Sequence, residues 1–129
     1  MAAFSRLEDI QVWQRARSLV KRIYLTTNEG RFARDFGLRD QARRASVSIL
    51  SNIAEGFERG GTGEFVRFLA IAKGSAGEVK AQLYVALDQD YVTQGGFDEL
   101  IQEIGEISKM ISGLMGYLRK SGIKGTRFK

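Results

Sequence analysis

The sequence of 129 residues predicts an all-α protein, an antiparallel up-and-down four-helix bundle forming a single domain. Three observations carry that prediction. Apolar residues recur three and four positions apart through four long stretches, the spacing of a helix with one buried face. Proline is absent, which suits long uninterrupted helices. The links between the stretches are short, as antiparallel neighbours require, and no segment carries a strand signal. The expected helices span about residues 6–28, 38–57, 62–90 and 97–120, followed by a basic tail at 121–129.

The first helix is expected to open on Ser5-Arg6-Leu7-Glu8, which has the capping-box form of a hydroxyl residue followed three positions later by Glu. Behind it Ile10, Trp13, Ala16, Val20, Ile23 and Tyr24 follow helical spacing, with Val12 and Leu19 at the edge of the stripe. Asn28-Glu29-Gly30 closes it, and GRFARDFG at 30–37 reads as a basic loop with two aromatic residues.

In the second helix Leu38, Ala42, Ala45, Ile49 and Ile53 share one face at about 100° per residue, while Val47, Leu50, Ala54 and Phe57 form a second apolar surface beside it. The inner face is small-sided: Ala42, Ala45, Ser46, Ser48 and Asn52 stand where Leu would bury more area. Such side chains permit close approach between helix axes, and the hydroxyls can bond to backbone carbonyls within the helix. The second surface exceeds the inward arc of a lone bundle, so Val47, Leu50, Ala54 and Phe57 are read as an interface between copies of the chain. Val12 and Leu19 repeat that hint. Arg39, Arg43 and Arg44 sit near the helix N-terminus against the dipole preference, so other groups are expected to satisfy them.

The third helix begins at Thr62, read as its N-cap, with Glu64 in the first turn. Gly74 and Gly77 inside it each cost roughly 1 kcal/mol against Ala, and mark a kink or a close crossing, a break into two helices being the weaker reading. The turn at 91–96 leads to the fourth helix, where Phe97, Leu100, Ile104, Ile107, Ile111, Leu114 and Leu118 alternate spacings of three and four. Its outer face carries Glu99, Glu103 and Glu106, and Ser121-Gly122 stops it.

Composition excludes several chemistries. The chain has neither Cys nor His, which removes disulfides, thiolate zinc sites, catalytic thiols and the commonest general base and metal ligand. No enzyme activity, cofactor, metal or small-molecule substrate is therefore expected. No apolar run approaches the roughly 20 residues of a membrane span, and the first residues lack a signal peptide's apolar region, so a soluble cytoplasmic protein with no membrane partner is expected. The net charge of +5 is unevenly spread: residues 1–60 hold 11 basic and 7 acidic residues, 61–118 hold 4 and 8, and the last eleven hold 5 and none. That asymmetry fits an anionic partner.

LEDIQVWQRA near the start, FGLRDQARRASVSILSNIAEGF, and GEFVRFLAIAKGSAGEVKAQL together span most of the first ninety residues. In order and spacing they resemble the four-helix-bundle family encoded by intervening sequences in bacterial 23S ribosomal RNA genes. A related branch comprises the accessory variability proteins of diversity-generating retroelements. The resemblance implies an up-and-down bundle, a homo-oligomeric ring of five subunits, and association with RNA or DNA. Where that family often has Pro this chain has Leu50, so any helix distortion there is expected to be weaker.

The residues expected to meet phosphate are Arg15, Lys21 and Arg22 of the first helix, Arg43 and Arg44 of the second, and Lys120, Lys124, Arg127 and Lys129 of the tail. Each phosphate neutralised releases a counterion, so a modest patch repeated around a ring binds appreciably. The bland alternative is a solvated face ion-paired to Glu99, Glu103 and Glu106, which is also the favoured reading of that acidic stripe over a metal site. RGGTGEF at 59–65 could hold an anion on its amides, although an ordinary capped turn is favoured. Ser46, Ser48 and Ser51 lack a Lys base in register. Trp13, Phe65 and Phe68 are read as core rather than base-stacking residues. The rival function is a protein-interaction scaffold without nucleic-acid binding.

Overall fold

The computed structural model describes residues 4–121. Four long helices fill them: α1, Gln11–Thr27; α2, Phe36–Arg59; α3, Thr62–Asp88; and α4, Gln94–Ser121. Among the described residues there is no strand, and no helix is long and apolar enough to cross a membrane. Each helix packs on its neighbours in chain order and α4 returns to α1, with the α2–α3 pairing the most extensive and α1–α4 the sparsest. Arg15 of α1 meets Glu106, whereas Arg22, two turns later, meets Glu99 and Glu103, so α1 and α4 run antiparallel.

The start of the chain differs from its expected form. The residues after Ser5 make only a 3-10 turn, Leu7–Asp9, and α1 begins at Gln11. Asp9 rather than Glu8 reaches back, accepting from the Arg6 backbone amide at 3.3 Å and the Ser5 hydroxyl at 3.4 Å. The physical reason is Ile10, which takes an extended backbone (φ −85°, ψ 110°) to bury its side chain in the core. Val12 and Leu19, expected at the edge of the stripe, are fully inside. They therefore contribute nothing to an exposed surface.

α2 begins two residues earlier than expected because Asp35 caps it, its Oδ1 accepting from the Leu38 amide at 3.1 Å. Its other carboxylate oxygen accepts from the Tyr91 hydroxyl at 3.0 Å. Phe32, in a 3-10 turn at Phe32–Arg34, is completely buried with its ring 5.3 Å from Tyr91. Arg31 donates to the Gln89 carbonyl at 2.9 Å. The α1–α2 loop is thus fastened to the α3–α4 loop across one end of the bundle.

α2 and α3 are joined by a two-residue turn. Gly60 takes the left-handed conformation (φ 86°) that ends α2, and Gly61, not Thr62, caps α3. One turn back the two helices approach closely at Gly56, the most confined glycine of the described residues. A Cβ on Gly56 would stand 2.8 Å from Phe68 Cβ and 3.3 Å from the Phe65 backbone, so only glycine lets the helices meet there. Farther along the pair, Ser48 and Ser75 share a hydrogen bond of 2.8 Å, and Asn52 donates to the Ser48 carbonyl. The small inner face of α2 is thereby explained by a partner within its own chain. Phe57, expected on an intersubunit face, is buried here with its ring edge-on to Phe65 at 6.2 Å. It sits about 60° from the Ile49–Ile53 line and still falls within the inward arc.

Gly74 and Gly77 neither break α3 nor mark a crossing, since a Cβ at either position would meet nothing within 4 Å. The two kinds of glycine predict opposite outcomes in thermal or urea unfolding. Gly56→Ala should destabilise the chain by about 1–3 kcal/mol through overpacking against backbone. Gly77→Ala should stabilise it by about 0.5–1 kcal/mol, the ordinary gain of helix propensity at an open site.

Candidate nucleic-acid interface

The structure does not gather the expected phosphate-binding residues into one surface. Arg15 and Arg22 lie on the α1–α4 seam and are committed there. Arg15 is ion-paired with Glu106, and Arg22 bridges Glu103 at 2.6 Å and Glu99 at 3.0 Å. The Glu103 side chain is only 14% exposed, so this pair is partly withdrawn from water. The Arg15 guanidinium, by hydrogen bond and by charge, holds the Glu106 carboxyl below the usual carboxylate range. The acidic stripe of α4 is therefore the other half of an ion-pair ladder.

Arg43 faces α1. Its Nε donates to Thr27 Oγ1 at 2.8 Å, and its guanidinium lies 4.6 Å from the centre of the Tyr24 ring. Arg39 is likewise engaged, with Asp40, the Ala33 carbonyl and the Phe36 ring. These contacts satisfy two of the three N-terminal arginines of α2, Arg39 and Arg43, and take Arg43 off the free surface; Arg44, also expected to find a partner, has none among the described residues.

Lys21 and Arg44 remain exposed and make no ion pair among the described residues. Lys120 is exposed too, but near the C-terminus of α4, at the opposite end of the bundle from the α1–α2 loop. Lys124, Arg127 and Lys129 lie outside the described residues. Arg34, which the sequence reading passed over, joins Lys21 and Arg44: it projects from the fastened loop, exposed and without an ion pair. A signal for it existed, because positions 15–44 hold nine basic residues against three acidic ones. Of the expected residues, those left free are thus concentrated on the α1–α2 hairpin and its loop, apart from Lys120.

Beside these cations runs an apolar seam. Leu50, Ala54 and Val47 lie within about 40° of Arg43 around the α2 axis, on the side that meets α1. Trp13 and Val20 lie within about 40° of Tyr24 on α1. Trp13, Val20, Val47, Leu50 and Ala54 are all half-buried, and Tyr24 is 43% exposed. Trp13 packs on the core margin with its indole nitrogen buried and lacking a partner.

The glycine-rich turn offers no free cation for an anion. Arg59 pairs with Glu55, Arg67 with Glu64, and both guanidiniums lie over the Phe68 ring, at 4.9 and 4.8 Å. Phe65 is buried. Among the described residues no group of three or more Asp or Glu could hold a metal ion.

The family model for the 23S rRNA-intervening sequence protein matches residues 8–113. The chain belongs to that family. A solved structure from Bacteroides thetaiotaomicron, described as a protein of unknown function from the S23 ribosomal protein family, shares the fold with a TM-score of 0.74 at 22% identity. The alignment covers 81% of this chain and 97% of that one. No curated protein matches the sequence. Family membership accounts for the quoted segments of the first three helices and for the bundle, and the family carries no established activity.

The seam between α1 and α4 generates a pH-dependent prediction. Glu106 is held below its unfolded pKa, so the Arg15 pair contributes stability above the ordinary Glu range and loses it as pH falls through the depressed folded value. Arg15→Ala should therefore lower the urea midpoint at pH 7, and the difference from the wild type should shrink as the pH falls through the depressed folded value of Glu106. Arg22→Ala should cost about 1 kcal/mol at neutral pH, because Glu103 loses a charge-assisted bond in a partly dry site.

Proposed function

We propose that this protein is a non-enzymatic, homo-oligomeric bundle that binds RNA or DNA through the phosphate backbone, with the α1–α2 hairpin as its contact surface. The observation that carries the reading is the set of exposed, unpaired cations Lys21, Arg34 and Arg44 on a hairpin whose loop is fastened in place. A rigid cationic surface whose exposed rings, Tyr24 and Phe36, are already covered by Arg43 and Arg39 reads charge rather than base sequence. The half-buried row Trp13, Val20, Val47, Leu50 and Ala54 supports self-association along the same hairpin. Self-association multiplies three cations into a larger field. Membership of a family named for ribosomal RNA intervening sequences is consistent with an RNA target, and the resemblance to the accessory variability branch adds the RNA of a reverse transcriptase as a second one. Five subunits is the ring size that the resemblance implies.

Two measurements test this. A mobility shift over a salt series should show binding whose logarithm falls linearly with log salt. The combined variant Lys21→Glu, Arg34→Glu and Arg44→Glu should reduce the slope by about 2–3 on duplex, at about 0.9 per lost phosphate contact. Arg15→Ala should leave the slope unchanged. No shift at low salt would refute nucleic-acid binding and leave the scaffold reading. In light scattering the wild-type chain should exceed the mass of one subunit at micromolar concentration, and Val47→Glu should return it to one. Trp13 is the sole tryptophan and lies on the seam, so its emission should shift to the red on the same dissociation.

A further inference from the structure

The electrostatics of the second half of the chain are unlike those of the hairpin. Residues 61–118 hold only four basic residues among eight acidic ones. One of the four, Arg67, is paired with Glu64. The other three, Lys73, Lys80 and Lys109, all line a single groove of about 530 Å³ between α3 and α4. No carboxylate lines it. None of these lysines forms an ion pair among the described residues, although Lys109 acts at a distance on Glu106. All the unpaired positive charge of a net acidic segment is thus placed around one trough.

The floor of the trough is apolar and low. Ala76, Ile101 and Ile104 form it, and Gly77 and Gly105 leave bare backbone facing open space, with nothing within 4 Å of where a Cβ would stand. A mid-helix glycine costs about 1 kcal/mol against alanine, and no contact within the chain requires either one. What they supply is room for another backbone to come close. Along α4 the groove runs from Ile101 to Ser112, about 16 Å or three helical turns. Lys73 and Lys80 are separated by two turns, about 10 Å, along one rim.

We infer that the α3–α4 groove docks an acidic amphipathic helix of a partner protein. The apolar stripe of that helix would lie on Ala76, Ile101 and Ile104, with its axis drawn in over the two glycines. Carboxylates seven residues apart would meet Lys73 and Lys80, and one on the opposite flank would meet Lys109. Charge complementarity decides among occupants. The apolar seam of a second copy is flanked by Arg17, Lys21, Arg43 and Arg44, which the three lysines would repel. A nucleic-acid strand would bring phosphates to the lysines but would set charge over an apolar floor that offers no aromatic ring or guanidinium for its bases.

The test uses the full chain and a fluorescein-labelled, side-chain-stapled helix of 18 residues, with Leu along one stripe and Glu on both flanks, followed by anisotropy at low salt. Saturable binding is expected. Lys73→Glu with Lys80→Glu should weaken it at least about tenfold. Gly77→Leu should do the same while leaving thermal stability unreduced, because the new side chain fills only the trough. Lys21→Glu with Arg44→Glu should leave peptide binding unchanged, which separates this site from the hairpin. A peptide with Lys in place of Glu should bind the doubly reversed variant and not the wild type. Absence of saturable binding, or binding indifferent to Gly77→Leu, would overturn the proposal. So would a 20-nucleotide single-stranded RNA that binds while the peptide does not and is lost with the same lysines. A fall in the oligomer's mass on Gly77→Leu would instead assign the groove to a second copy, and the proposal would fail.

Discussion

The close approach of α2 and α3 at Gly56 is the constraint on which the rest of the structure depends. With hydrogen alone on that Cα, the chain brings the Phe65 backbone and the Phe68 side chain against α2, one turn before the glycine pair reverses its direction. Ala42, Ala45 and Ser46 on one helix and Ala72, Ser75 and Ala76 on the other carry the small buried faces onward. A pair packed this tightly offers little space for large side chains between its own axes. Phe57, Phe65, Ile49, Ile53 and Leu83 instead fill the centre that α1 and α4 close over. Such a core resists volume changes in both directions, because its side chains meet backbone rather than flexible tips.

A division of labour between the two basic residue types follows. Arg15, Arg22, Arg31, Arg39, Arg43, Arg59 and Arg67 each hold a carboxylate, a carbonyl, a hydroxyl or an aromatic ring. No described lysine forms an ion pair or side-chain hydrogen bond. The planar guanidinium suits stacked and forked contacts at helix seams, whereas the ammonium keeps its hydration and its mobility. Most arginines here are held by neighbouring side chains or carbonyls, and lysines, with Arg34, Arg44 and Arg119, constitute the charge still available to a ligand. Net charge alone conceals this partition, and so does the clustering of basic residues along the sequence.

The helices were legible because each buries one stripe, and the spacing of Ile49 and Ile53 or of Ile104, Ile107 and Ile111 records that stripe directly. Their ends were less so. Ile10 ends the first turn by being pulled into the core, a tertiary effect with no local signature, while Asp35 did carry one as a favoured N-cap residue. Phe57 lies inside although it shares a sector with Leu50 and Ala54, because the inward arc of a helical wheel has no edge that the sequence marks. For the charged residues the sequence supplied types and rough faces but not partners: Arg22 and Lys21 are adjacent in the chain, yet one closes a seam and the other faces water. Lys73, Lys80 and Lys109 were harder still to see as a group, since two helices running in opposite directions must be superposed before they converge.

In a bundle whose helices neighbour one another in chain order, the α1–α2 seam and the α3–α4 groove lie on opposite sides. An anion on the hairpin and an acidic helix in the groove therefore need not compete for space. They would differ in their response to salt. Backbone phosphates on exposed cations release counterions with every contact, so affinity falls steeply and linearly on a logarithmic scale. The groove combines three charges with an apolar floor, and the area removed from water there is indifferent to ionic strength at the level of Debye screening. Salt would thus separate the two proposed surfaces by their chemistry: a moderate concentration that stripped nucleic acid from the hairpin would leave the apolar part of groove binding in place.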